Sequence, residues 1–187
     1  FLITAGPNHE PLDPVRYISN RSSGKMGYAL ARSGVRRGAE VTLVSGPTSL
    51  SPPAGVRLIP VKTAAEMRQA ILQEYSGATT GLMAAAVADY HPEKFVAKKI
   101  KKACRAMLLM KFKKIKTGKG TLRLNLKPNP DILRELGMKK NGQILVGFAA
   151  ETESLIANAK KKLREKNLDL IVANDVTQEG SGFAGAT

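Results

Sequence analysis

The sequence predicts an α/β fold: a doubly wound, mainly parallel sheet with helices on both faces and a basic excursion near its middle. Three observations carry that expectation. Short apolar runs alternate with stretches of helical spacing from residue 1 to 87, and again from 129 to 173. A loop of small hydroxyl residues and glycine, Ser19 to Gly24, joins the first apolar run to the first helical stretch. The run Leu82-Met83-Ala84-Ala85-Ala86-Val87 is apolar without alternation, as a strand covered on both faces requires.

Phe1-Leu2-Ile3-Thr4 reads as the buried first strand, turned by Ala5-Gly6-Pro7. Asn8 to Tyr17 reads as a loop, because Glu10-Pro11 and Asp13-Pro14 resist helix formation. The helix after Gly24 is expected to end near Arg36-Arg37-Gly38, with positive charge in the last turn and glycine beyond it. Glu40 to Val44 and Val56 to Val61 are the next strands. Thr63 to Tyr75 is a helix with Thr63 as cap and Glu66 completing a capping box.

From Ala97 the pattern changes. Leu108 to Phe112 and Thr121 to Leu126 are strand-like around a hairpin turn at Lys116 to Gly120, a flap excursion spanning about 97–127. Asn129-Pro130-Asp131 opens another helix, with asparagine at the cap and proline at the first position. Gln143 to Ala149 is a strand, Thr152 to Asn167 an amphipathic helix and Leu168 to Ala173 a further strand. The 187 residues are read as one domain.

The formal charge of +15 invites a nucleic-acid reading, but the excess is regional. Lys94 to Lys127 holds 13 basic residues and no acidic one, while the rest of the chain balances 17 against 15. Phe95 and Phe112 are the only aromatics in that segment, too few for a base-stacking surface. A solvated basic flap, or one serving a polyphosphate, fits the composition as well. Cys104, the single cysteine, fits a reducing cytoplasm, and no apolar run approaches a membrane span. The opening lacks signal-peptide features.

In open α/β sheets ligands sit beyond the carboxyl ends of the strands. The loop holding Ser22, Ser23 and Gly24 can present backbone N–H groups to a phosphate at a helix N-terminus. The plainer alternative is a helix capped by Ser22 or Ser23. Asp89 is placed for a ribose hydroxyl or a magnesium ion, or as a simple cap. Glu151 and Asn174-Asp175 end two later strands. The lysines from Lys98 to Lys102 offer point charges to a polyphosphate. Gly24-Lys25 is no Walker A loop, since Met26 stands where serine or threonine is needed, and Gly24 and Gly27 alone are no dinucleotide fingerprint.

Several longer motifs, in order, resemble those of the phosphopantothenate–cysteine ligase family. They are Asp13 to Gly27, Ala85 to Tyr90, Lys99 to Lys102, Asn129 to Ile132, Val146 to Thr152 and Asn167 to Asp175. The resemblance implies a dimeric, Rossmann-like enzyme of coenzyme A biosynthesis. It would act beside a flavin-dependent decarboxylase, fused or separate, with no flavin in this chain and no membrane or nucleic-acid partner. The implied reaction joins 4′-phosphopantothenate and L-cysteine with CTP and Mg2+, through an acyl-cytidylate. On this likeness Lys99 serves formation of the acyl-cytidylate and Asn20 its conversion. Met83, Ala84, Ala85, Asp89, Lys99, Asn129, Pro130, Asp131, Ile132, Phe148, Lys162 and Lys166 match nucleotide contacts, joined by Ser22, Ser23 and Gly24. Arg16, Asn20, Ala85 and Ala86 match substrate contacts, and Asp89 a magnesium ligand. Phe148 could equally be core, and Lys162 and Lys166 solvated charge. Asn8-His9 departs from the family's Thr-Arg pair, the segment from Ala103 to Leu126 is longer and more basic, and the family's last strand and helix have no counterpart. A nucleic-acid-binding protein and a Rossmann oxidoreductase are the rival readings.

Overall fold

In the computed structural model, which describes residues 1–101 and 122–175, six strands form one parallel sheet. They are β1 (Leu2–Ala5), β4 (Val41–Ser45), β5 (Val56–Pro60), β6 (Thr80–Met83), β9 (Ile144–Glu151) and β10 (Leu170–Asp175). Their spatial order is β10-β9-β6-β1-β4-β5, so the chain builds outward from β1, then returns to lay β6 against β1's other edge. That reversal is the switch point of a doubly wound sheet, and it opens a crevice at the carboxyl ends of β1 and β6.

Alternation along the strands divides the core in two. Ile3, Ala5, Val41 and Leu43 pack under α1 (Lys25–Arg36) with Tyr28 and Ala31. Leu2, Val44, Met83 and Leu145 face the other side, against α2 (Ala64–Tyr75) and α3 (Ile132–Lys139). Leu163 of α4 (Leu155–Glu165) joins that second cluster. Strand residues one apart thus serve opposite layers, which is why β1 is buried along its whole length.

Several expected boundaries move, each for a local reason. The predicted central strand ends at Met83 rather than Val87, because Ala84 to Ala88 leave the ladder. The Asn8 to Tyr17 loop contains a short antiparallel pair, β2 (Glu10–Pro11) with β3 (Tyr17–Ile18). Residues 122–125 are irregular, and the strand there is β8 (Leu126–Pro128), paired with β7 (Tyr90–Pro92). Thr63 caps α2 as expected, accepting from the Glu66 N–H at 3.2 Å. Glu66 closes the box one residue early, on the Lys62 N–H at 2.7 Å. Leu108 to Phe112, the Lys116 to Gly120 turn, Cys104 and most of the basic excursion lie outside the described residues.

Candidate functional site

A cavity of about 660 Å³ occupies the switch point. Its first wall begins with Gly24, the N-cap of α1, whose φ of 78° is left-handed and suits glycine. The N-cap position is thus Gly24 rather than a serine, although a serine side chain still takes the first N–H of the helix. Ser22 Oγ accepts from the Gly24 N–H at 3.3 Å, and Ser23 Oγ from the Lys25 N–H at 3.4 Å. Gly27 lets α1 lie directly on β1. A Cβ there would stand 2.5 Å from the Ala5 Cβ and 2.6 Å from the Thr4 carbonyl oxygen.

The floor is the segment that peels away after Met83. Thr4 Oγ1 accepts from the Ala85 N–H at 3.0 Å, and the Ala86 N–H donates to the Gly6 carbonyl at 2.9 Å. Held this way, the Ala86 and Val87 carbonyls both accept from Asn20 Nδ2, at 3.2 and 3.0 Å. The amide of Asn20 is thereby oriented and its Oδ1 turned outward from those carbonyls. Ser19 Oγ anchors the neighbouring residue on the Asn8 carbonyl at 2.7 Å.

On the far side Asn129 does not cap α3; Asp131 does, accepting from the Arg134 N–H at 3.0 Å. That corrects the expected asparagine cap. The Asn129 side chain donates to the Ala88 carbonyl at 2.8 Å and meets His91 Nδ1 at 2.9 Å. Its N–H donates to the Asp89 carbonyl at 2.8 Å, so one residue ties both loops that flank the cavity.

The last wall is charged. Lys162 pairs with Glu151 at 2.5 Å, and Lys166 with Asp131 at 2.9 Å. The Lys162 ammonium, then Asn158, hold the Glu151 carboxyl below its usual pKa against the opposing effect of burial. Lys166 is the C-cap of α4 and follows its last turn. Phe148 is half-buried at the cavity edge, between the two alternatives of ligand contact and core.

The structure therefore brings Asn20, Ser22, Ser23, Gly24, Met83 to Ala86, Asp89, Asn129 to Ile132, Phe148, Lys162 and Lys166 around one space. It does not bring Arg16 or Lys99 there: neither lines the cavity. Thr4 is the residue that sequence reading missed. The available signal was a lone hydroxyl in an otherwise apolar first strand. No group of three or more His, Cys, Asp or Glu that could hold a metal occurs among the described residues, so Asp89 has no protein-only metal cage around it.

A second cavity of about 440 Å³ shares Asn20, Ser22 and Ser23 with the first and adds His9, Tyr17 and Thr48. His9 stacks on Tyr17, ring centroids 3.7 Å apart, and burial lowers its pKa. These features together define a Rossmann-like α/β domain with a ligand cavity at the topological switch point.

The whole chain, residues 1–187, matches the family described as DNA/pantothenate metabolism flavoprotein C-terminal domain. The chain belongs to that family. It is 49% identical to the coenzyme A biosynthesis bifunctional protein CoaBC of Bacillus subtilis, over 100% of this chain and 42% of that protein. It thus spans less than half the length of that relative. A crystal structure of the C-terminal domain of CoaBC is 44% identical with a TM-score of 0.76, covering 94% of this chain and 76% of that one. A Cab2 mutant in complex with phosphopantothenate-cysteine has a TM-score of 0.77 at 20% identity, over 94% of this chain and 72% of that one. At that identity the likeness concerns the fold.

Proposed function

We propose that this domain joins 4′-phosphopantothenate to L-cysteine with CTP as co-substrate, forming 4′-phosphopantothenoylcysteine. The single observation that supports this most is the cavity itself: residues from five separated motifs of the ligase family line one space of nucleotide size. A carboxylate is a poor electrophile, so the substrate carboxylate first attacks the α-phosphate of CTP. Pyrophosphate leaves and an acyl-cytidylate remains. The cysteine amine then attacks the acyl carbon, CMP departs, and the ammonium proton is lost to solvent.

In this reading the α1 N-terminus and Lys162 and Lys166 attract the phosphates. The lysines already carry carboxylate partners, so an incoming polyphosphate exchanges one anion for another. Asn20 sits where both cavities meet, between the nucleotide and the acid substrate in the second cavity. Its amide serves the second step by stabilising charge on the acyl oxygen, for which Nδ2 exchanges one of its two carbonyl partners for that oxygen. Lys99 serves the first step as the countercharge to the α-phosphate. Asp89 and Asp131 at the cavity suit magnesium, which binds through one or two carboxylates together with substrate phosphates.

The chain as read here is one catalytic domain working as a homodimer in the cytoplasm, beside a decarboxylase that consumes its product. No helix among the described residues is long and apolar enough to cross a membrane. Incubation with 4′-phosphopantothenate, CTP, magnesium and cysteine is expected to release CMP and pyrophosphate in equal amounts. Release of neither overturns the reading. Competition between CTP and ATP in the same assay decides the nucleotide.

A further inference from the structure

Arg16 and Lys99 both stand outside the cavity, yet the structure connects them through Asp13. The Asp13 side chain is fully buried, although it is a carboxylate on a surface loop. Its Oδ1 accepts from the Val15 and Arg16 N–H groups, each at 2.8 Å. Its Oδ2 accepts from Arg16 Nη1 at 2.9 Å and from the Ile100 N–H at 3.0 Å. The other arm of Arg16 closes the ring, with Nη2 donating to the Ile100 carbonyl at 2.8 Å. A few residues earlier the Val96 N–H donates to the Leu12 carbonyl at 3.0 Å.

Ile100 is therefore gripped at both its N–H and its C=O by one acid–base pair, and Lys99 is the residue directly before it. A planar guanidinium with two donor arms is suited to such a bidentate grip, and a lysine is not. The anchoring loop continues through β3 to Ser19 and Asn20, so one short segment, 13–20, holds the Ile100 backbone at one end and carries Asn20 at the other. The ionised form of Asp13 is the one this arrangement favours, with the Ile100 N–H as the largest contribution to its lowered pKa.

We propose that Asp13 and Arg16 are positioning residues that clamp the Ile100 backbone and so set the place of Lys99 for the first half-reaction. This assignment rests on the ligase reading for its chemical consequence but not for its geometry. Both Nη atoms of Arg16 are engaged in this clamp, one on Asp13 and one on the Ile100 carbonyl.

Asp13→Asn separates the two roles of the carboxylate. The asparagine Oδ1 can still accept from Val15 and Arg16, which preserves the turn. Its NH2 group would face the Ile100 N–H and Arg16 Nη1, two donors, which breaks the clamp. Pyrophosphate release without cysteine is expected to slow about tenfold or more at saturating CTP, since a small misplacement of a reacting group is costly. The KM for CTP should stay within about threefold and the second half-reaction should keep its rate, as the loss of a group used only in the first transition state implies. Hydrogen exchange at the Ile100 amide should accelerate about tenfold or more while the β1 amides stay unchanged.

Arg16→Lys, which keeps the charge and loses one arm, should show the same pattern more weakly, and it carries the test if Asp13→Asn does not fold. Unchanged pyrophosphate release alongside an exposed Ile100 amide would overturn the proposal. Equal losses in both half-reactions would also overturn it, since a general structural defect produces that. An Ile100 amide equally protected in variant and parent overturns the clamp whatever the activity. A parent chain that releases no pyrophosphate, while Asp13→Asn still exposes Ile100, overturns the ligase reading and leaves the clamp standing.

Discussion

On the α1 side of the cavity, polar groups are held by backbone and by short side chains; on the α4 side they are long charged side chains held by one another. Asn20 rests on two carbonyls, and the loop providing them is pinned by Thr4 and by the Gly6 carbonyl. Beneath that loop β1 is wholly buried. Lys162 and Glu151, by contrast, are partly exposed and held by each other. A group that must orient a reacting atom gains from the first kind of support, because its rotamer is fixed before substrate arrives. A group that only attracts charge works well with the second. In the ligase reading proposed above, the two walls thus divide orientation from attraction.

Four changes would break or sharpen that division. Asn20→Asp keeps the size of the side chain but replaces the donor that faces the two carbonyls with an acceptor. Acyl-cytidylate is expected to accumulate while product formation falls by about 10² to 10³, the cost of losing an oriented donor. Product formation at the normal rate would refute the role assigned to Asn20.

Gly27→Ala tests the stiffness of the same wall. The new methyl would collide with backbone on one side and with Ala5 on the other, so neither neighbour can rotate away. A loss of about 3 kcal/mol is expected from overpacking of this kind. For a chain of this length that is a fall of about 10 °C in the unfolding midpoint. An unchanged midpoint would mean the wall gives more readily than its packing suggests.

Lys162→Met addresses the other wall. Stability should change by about 1 kcal/mol or less, as for other partly exposed ion pairs. The KM for CTP should rise about tenfold, as the loss of one charge-assisted phosphate contact implies. A large stability loss with an unchanged KM would reverse the assignment of this wall to attraction.

The smallest expected effect is the acid response. Glu151 and Asp169 both have lowered pKa values, Glu151 chiefly through Lys162 and Asp169 chiefly through the Leu145 N–H and then Lys140. A carboxyl whose folded pKa is depressed contributes stability that is present above its unfolded pKa. That stability is lost as pH falls through the folded value. Urea unfolding should therefore give a constant stability from neutral pH to about 5 and a decline below about 4, where model carboxyls begin to bind protons. Lys162→Met should flatten the decline slightly, whereas Gly27→Ala should leave its slope unaltered.

The elements with strong local signals were readable from residue types alone. Thr63 and Glu66 announce the start of α2, and the apolar alternation of residues 41–44 announces β4, because both depend on near neighbours in the chain. The cap of α3 falls on Asp131 rather than Asn129 for the converse reason. Asparagine and aspartate cap equally well, and only the contact with Ala88 and His91 draws Asn129 away and leaves Asp131 to the helix. Ala84 to Val87 reads as the end of a strand because its composition is apolar. The hydroxyl of Thr4, 81 positions earlier, takes the Ala85 N–H and diverts it from the ladder.

By itself the sequence determined the α/β class, the alternation of strands and helices, and which motifs carry polar groups at strand ends. Each follows from periodicity and from side chains interacting within a few positions. Only the tertiary structure decided the strand order, and with it the placing of β6 beside β1 that creates the switch-point cavity. It alone paired Lys162 with Glu151 and Lys166 with Asp131, and closed Asp13 and Arg16 around Ile100. Those contacts join residues up to 87 positions apart, and their partners are chosen by how the layers pack rather than by any local preference of the chain.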